Sequence, residues 1–244
     1  MNNKRYKIIL CEGETDQILL GCYLGQIADW EFFKGNNMPF SENPVNWFRN
    51  PENSILGIWQ VGGNDFSDAV TKVLRMAYLE PSIEKLAIIT DHDDVEAETL
   101  RSWTLQSIIE KELKAGAMHD LQWVDHWISL SFEDSFANNS TIELCYILVP
   151  LHEQGALETF MLSALSETAP EKEEIISQVI NFISNIKSGV YLKQRREKIK
   201  AQLGVSLSIF SPDRIFTTMN ELLKSVNWAD FQTAHTQFKT LDRL

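Results

Sequence analysis

The sequence predicts an α/β fold: a mostly parallel sheet flanked by helices, with a helical C-terminal extension. Three observations predict it. Residues 6–11 and 86–90 are short, largely apolar runs, and each ends abruptly in carboxylates, at Glu12 and at Asp91, Asp93 and Asp94. Runs of this kind suit strands buried on both faces, which belong to parallel sheets covered by helices. Between and after them, such runs alternate with segments whose apolar residues recur every three to four positions, the pattern of βαβ units. Beyond Pro150 the periodic segments are all helical.

Taken in order, the first strand runs to about Cys11. Residues 16–28 follow as a helix, with a stripe of Ile18, Leu19, Cys22, Tyr23 and Ile27. Residues 29–54 break the periodicity, mixing Asn, Pro and Gly with Trp30, Phe32, Phe33, Phe40, Trp47 and Phe48. A loop this long inside a compact domain is usually functional or a lid. Its rings either stack on nucleobases or pin the insertion to the body, the commoner use of large aromatics. Residues 55–61 form a second strand closed by Gly62 and Gly63, and residues 66–78 a helix. The third strand is 85–90, the third helix 95–115, and further strands cover 123–132 and 142–149. Helices then cover 157–165, 171–187, 190–203 and 212–226, with Ser211 capping the last and Pro212 in its first turn. A boundary near 150 divides an α/β core, 1–150, with its aromatic-rich insertion at about 29–54, from a helical part, 151–244, packed on that core.

Composition narrows the function. A net charge of −12 argues against broad electrostatic coating of nucleic acid, so any such site must be local. Three cysteines without CxxC spacing fit a reducing cytosol. The apolar stretch after Lys4, Arg5 and Lys7 is too short for a signal peptide, and no run approaches membrane-spanning length. The expectation is a cytoplasmic protein with no membrane partner. No Walker A sequence, HExxH or nucleophile motif occurs.

The chemistry lies in the carboxylates. Ligands of open parallel sheets bind at the carboxyl ends of the strands, so Glu12, Asp91 and Asp93 are expected to crowd one rim. Two carboxylates ~5 Å apart repel by roughly 3 kcal/mol at an effective dielectric of 20. Such a cluster needs a proton or a cation, and with oxygen ligands the cation is Mg²⁺ or Mn²⁺. Asp91 and Asp93 can turn toward one ion, and Glu12 could complete that site, hold a second ion or act as general base. Gly13, Gly62 and Gly63 let backbone approach a phosphate. Asp16 and Asp94 also suit helix capping. His92 stands between the two aspartates. Residues 193–200 hold five cations, and on a helix Lys193, Arg196 and Lys200 share a face; with Arg195 they are candidate nucleic-acid contacts. The alternative for this stretch is a solvated basic surface.

Glu12, Gly13 and Asp16 after one strand, Gly62 and Gly63 after the second, and Asp91 with Asp93 after the third resemble the TOPRIM domain. That domain occurs in topoisomerases, bacterial primases and nucleases of the OLD (overcoming lysogenisation defect) family. Val149, Pro150 and the run from Gly155 to Glu158, with the Lys-rich stretch beyond, resemble a small group of stand-alone TOPRIM proteins. The resemblance implies a TOPRIM-like sheet and a Mg²⁺-dependent nuclease acting on DNA or RNA. In OLD nucleases a later carboxylate and a lysine join the core triad, which implies Glu158 as an added metal ligand and Lys198 or Lys200 as the catalytic lysine. It also implies an effector in antiviral defence partnered by a separate ATPase, with a homo-oligomer open as well. Two rivals stand beside it. A protein-binding subunit without catalysis would use the acidic surface, aromatic insertion and helical tail. The run from Asp91 to Val95 also resembles haloacid-dehalogenase phosphatases, with Asp91 as nucleophile and Asp93 as acid. That family expects this strand first and a later acidic pair, and neither holds here.

Overall fold

The computed structural model describes residues 5–35, 38–63, 65–80, 82–92, 94–114, 122–188, 190–214 and 218–244. Strand β1 (Tyr6–Cys11) leads into helix α1 (Glu14–Ala28). Strands β2 (Glu31–Phe33), β3 (Val45–Arg49) and β4 (Ile55–Gln60) precede α2 (Ser67–Leu79). Then come β5 (Ile83–Asp91), α3 (Val95–Leu113), β6 (Ile128–Glu133) and β7 (Asn139–Val149). The remainder is helical: α4 (Leu157–Ser166), α5 (Pro170–Asn185), α6 (Arg195–Phe210), α7 (Met219–Ser225) and α8 (Gln232–Phe238), with short 3₁₀ turns at Pro212–Arg214, Trp228–Asp230 and Lys239–Arg243.

The strands form one sheet in the order β2-β3-β4-β1-β5-β7-β6. The central four, β4, β1, β5 and β7, are mutually parallel. Antiparallel β3 and β6 flank them, and β2 reverses again against β3. Five strands of the seven (β2, β4, β1, β5, β7) therefore point one way, and the sheet is mostly parallel. Every residue of β1 is buried, as a strand covered on both faces requires. Its side chains alternate between two cores: Ile9 and Cys11 join α1 and the C-terminal helices, whereas Ile8 and Leu10 meet α2 and α3. The first core continues without a break across position 150, because Phe160, Trp228 and Phe238 share it with Leu20 and Tyr23 of α1.

Three expectations change, at 123–132, 190–203 and 212–226. The described part of the 29–54 insertion contributes β2 and β3, and Trp30, Trp47 and Phe48 are buried, pinning it to the body. Its chain pairs with β4, where Gly57 has no side chain and the Trp47 indole fills the space; a Cβ there would sit 2.8 Å from Cζ3 of that ring. The strand expected at 123–132 is continuous only from Ile128: Val124 makes an isolated parallel bridge to Tyr146, and the chain then turns at Asp125, whose φ is +54°. The helix expected at 190–203 starts at Arg195 and runs to Phe210, with Ser211 closing it. The helix expected at 212–226 is a 3₁₀ turn followed later by α7. Among the described residues, no helix is long and apolar enough to cross a membrane.

Candidate functional site

Three strand ends build the site. The parallel register sets Cys11 beside Gln60 on one side and Ile89 on the other, so β1, β4 and β5 finish near one rim. Glu12 follows β1 directly and is only 7% exposed. Its Oε1 accepts the Thr90 hydroxyl at 2.7 Å and the Asp91 backbone N–H at 3.0 Å. Arg101 Nη1 in turn donates to Thr90 Oγ1 at 2.7 Å, tying α3 to the same network. After β4 the chain folds back through Gly62 and Gly63, whose N–H groups donate to the Glu12 carbonyl at 3.0 and 3.1 Å. That turn needs φ of +83° and +148°, backbone values that side chains strain to adopt. Glycine is therefore explained here by conformation, and the bare turn faces the cavity.

Helix ends supply the rest. Gly13 opens α1, and the Asp16 carboxylate accepts the Gly13 N–H at 3.1 Å. Asp91, last in β5, accepts the Leu157 N–H from the start of α4 at 3.2 Å through Oδ1. Glu158, next on α4, lies 3.7 Å from Lys200 Nζ. The result is a cavity of about 460 Å³ lined by Glu12, Asp16, Asp91 and Glu158, with Gly13, Gly62, Gly63, Arg196 and Lys200.

Crowding shows in the acidities. Burial, then the charges of Glu12 and Asp16, push the Asp91 carboxyl up to about 7, against opposing help from the Leu157 N–H and Arg196. Burial and the Glu12 charge likewise raise Asp16 to about 6. Both retain protons at pH values where an ordinary carboxylate has lost them. As placed, no three His, Cys, Asp or Glu side chains among the described residues converge closely enough to hold a metal.

The expected residues sort clearly. Glu12, Asp91, Glu158, Arg196, Lys200 and the three glycines meet at the cavity. Asp93 lies outside the described residues. Asp94 caps α3 by accepting the Ala97 N–H at 2.9 Å. His92 is not among the cavity's lining residues; its Nδ1 sits 2.8 Å from the Pro150 carbonyl. The shared basic face is corrected: Lys193 precedes α6 in irregular chain. Arg195 donates to the Gln154 carbonyl and lines a different cavity between α4, α5 and α6. Lys198 is also absent from the lining, since two residues on from Arg196 it lies about 200° round the helix. The phase of α6 is set by buried Leu203, whose i−7 and i−3 neighbours are Arg196 and Lys200. Among the carboxylates, Asp16 does two things: it makes the capping hydrogen bond, and the same group lines the cavity. Thr90 was missed, although a hydroxyl at the end of an apolar run was its signal.

The family described as "Protein of unknown function (DUF3226)" matches residues 6–240. The chain belongs to the DUF3226 family. The matched span takes in all the residues of this cavity. Among solved structures, a hypothetical protein from Pyrococcus horikoshii OT3 is similar with a TM-score of 0.49 and 14% identity, covering 97% of this chain and 99% of that one. A variant of the fosfomycin resistance protein FosX from Listeria monocytogenes scores 0.18 at 17% identity, covering 57% of this chain and 88% of that one. A glyoxylase/bleomycin resistance protein/dioxygenase domain from Frankia sp. EAN1pec scores 0.17 at 16% identity, covering 57% and 89%. No curated protein matches the chain.

Proposed function

We propose that this DUF3226 protein is a metal-dependent nuclease with a TOPRIM-like carboxylate centre, hydrolysing phosphodiesters of DNA or RNA. One observation carries the reading: carboxylates from β1, α1, β5 and α4 line one cavity that Arg196 and Lys200 also line. The cations suit a phosphate, and the carboxylates suit a divalent ion between it and the protein. The donor set is all oxygen, which fits Mg²⁺ or Mn²⁺. The raised pKa values of Asp16 and Asp91 supply the physical test of that fit, because a cation relieves the repulsion that protons otherwise relieve.

In this reading Glu12 and Asp91 hold the ion, with Asp93 and Glu158 as the further ligands that the family resemblance implies. A divalent ion there would neutralise phosphoryl oxygens and lower the pKa of an attacking water. Thr90 and the Asp91 backbone N–H fix the Glu12 carboxylate. The start of α4 fixes Asp91. Arg196 and Lys200 bind and orient the phosphate, and Lys200 is the lysine of choice because it also reaches Glu158. The Gly62–Gly63 turn leaves the cavity wall open to the sugar-phosphate chain.

The test is incubation of the protein with single- and double-stranded DNA and RNA under Mg²⁺ or Mn²⁺, beside EDTA and an Asp91→Ala control. Cleavage lost in both controls is the expected result. Near-normal turnover in Asp91→Ala would overturn the proposal. So would robust phosphate-monoester hydrolysis without nucleic-acid cleavage, which would favour the phosphatase chemistry instead.

A further inference from the structure

A second cavity, of about 550 Å³, runs along α1 next to the first and shares Glu14 with it. Its walls are aromatic: Trp30, Phe32 and Phe48. Phe32 is 60% exposed, an unusual state for a phenylalanine on a paired strand. Its neighbour Phe33 stacks under the Arg49 guanidinium at 4.7 Å and packs against the other core. Phe32 alone of the pair lines the groove, meeting Phe48 edge to face with ring centroids 6.0 Å apart. The floor is kept low by Gly21, where a Cβ would fall 2.7 Å from Phe48 Cζ. Asn46, Asn220 and Lys224 add the polar groups. Asn220 Nδ2 donates to the Glu14 carboxylate at 3.0 Å, so the shared carboxylate is held rather than loose.

Resting on the nuclease reading, we propose that this groove takes an unstacked nucleobase of a single-stranded nucleic acid whose adjoining phosphodiester lies in the carboxylate cavity. Aromatic rings stack on any base, because every base has a π-face. Asparagine amides present both a donor and an acceptor to a base edge. Lys224 supplies the one cation that a neighbouring phosphate needs. From Glu14 to Cys22 the helix rises about 12 Å, which places the groove within reach of the next nucleotides along one strand. A duplex keeps its bases paired and stacked, so it offers this groove nothing to hold.

Continuity with the carboxylate cavity and the pairing of rings, amides and one lysine favour a nucleotide chain over an apolar peptide. The experiment uses the full chain carrying Asp91→Asn, so that binding is read without turnover. Fluorescence anisotropy would follow short labelled oligodeoxythymidylate, oligouridylate and a DNA duplex. Adding Phe32→Ala should weaken single-strand binding roughly ten- to hundred-fold, while Phe32→Trp should restore it. Duplex binding should not change. Because Phe32 is largely exposed, neither variant threatens the fold.

Unchanged single-strand binding in Phe32→Ala, with Asp91-dependent cleavage intact, would overturn the groove and leave the nuclease standing. Phe32-dependent binding of single strands that are never cleaved would do the reverse. Equal losses for single strands and duplex would overturn the groove, as would a Phe32-dependent change in sedimentation that marks it as a contact between copies. The two oligonucleotide arms separate DNA from RNA.

Discussion

Replacing Asp91 with asparagine should make the metal-free protein more stable while removing its activity. The carboxyl titrates at about 7 in place of 3.8 because it is buried and faces the charges of Glu12 and Asp16. A folded pKa raised above the unfolded one means the folded state holds the proton more tightly. That contribution is complete below 3.8 and is lost as pH rises through 7. The full shift corresponds to about 4 kcal/mol, of which about 3 kcal/mol falls between pH 5 and pH 8. In Asp91→Asn the amide keeps an oxygen for the Leu157 N–H, so the capping contact survives and the charge does not. Urea unfolding in EDTA should show the variant ahead of the parent, with the margin growing by about 3 kcal/mol from pH 5 to pH 8. Mg²⁺ at pH 8 should then stabilise the parent and leave the variant unmoved. A margin that stays flat with pH, or a variant less stable than the parent at pH 8, would refute the crowding of Asp91.

Charge reversal should separate binding from chemistry. Arg196→Glu and Lys200→Glu should raise KM and flatten its salt dependence, Asp91→Ala should abolish turnover even at saturating substrate, and Lys193→Glu should change little; steady-state kinetics across NaCl concentrations would check all three. Gly62→Ala and Gly63→Ala meet no atom within 4 Å, so their cost is conformational, on the order of 1–3 kcal/mol, read from shifted urea midpoints. Trp228→Ala should cost about 3–5 kcal/mol, since that ring is buried against Phe160 and Phe231 and its Nε1 donates to the Leu223 carbonyl; thermal unfolding followed by circular dichroism measures it.

How far the sequence reaches is clearest at β1 and β5. A strand covered on both faces must be apolar along its length, and it must stop where a carboxylate needs water or a cation. Residues 6–12 and 86–91 state both requirements locally, so the strands, their ends and the Glu12–Asp91 pair were legible without coordinates. The helices were legible wherever an apolar stripe faced a core, as at Phe66 to Tyr78. The edge strands were not. Glu31–Phe33 and Val45–Arg49 carry no clean alternation; Val45–Arg49 becomes a strand because β4 offers backbone partners and a side-chain-free Gly57, and Glu31–Phe33 because β3 then offers its own free edge. Nor could composition say which cations of 193–200 serve the cavity. That follows from the rotation of α6 about its axis, which burial of Leu203 fixes and which carries Arg196 and Lys200 inward while Arg195 turns to α4 and α5. Asp16 shows the same division on one residue. Sequence made it a helix cap, and packing beside Glu12 made it a titrating wall of the cavity as well. Local chemistry dictates which segments must be buried and where charge must emerge; long-range pairing and helix phase decide which of those charges meet.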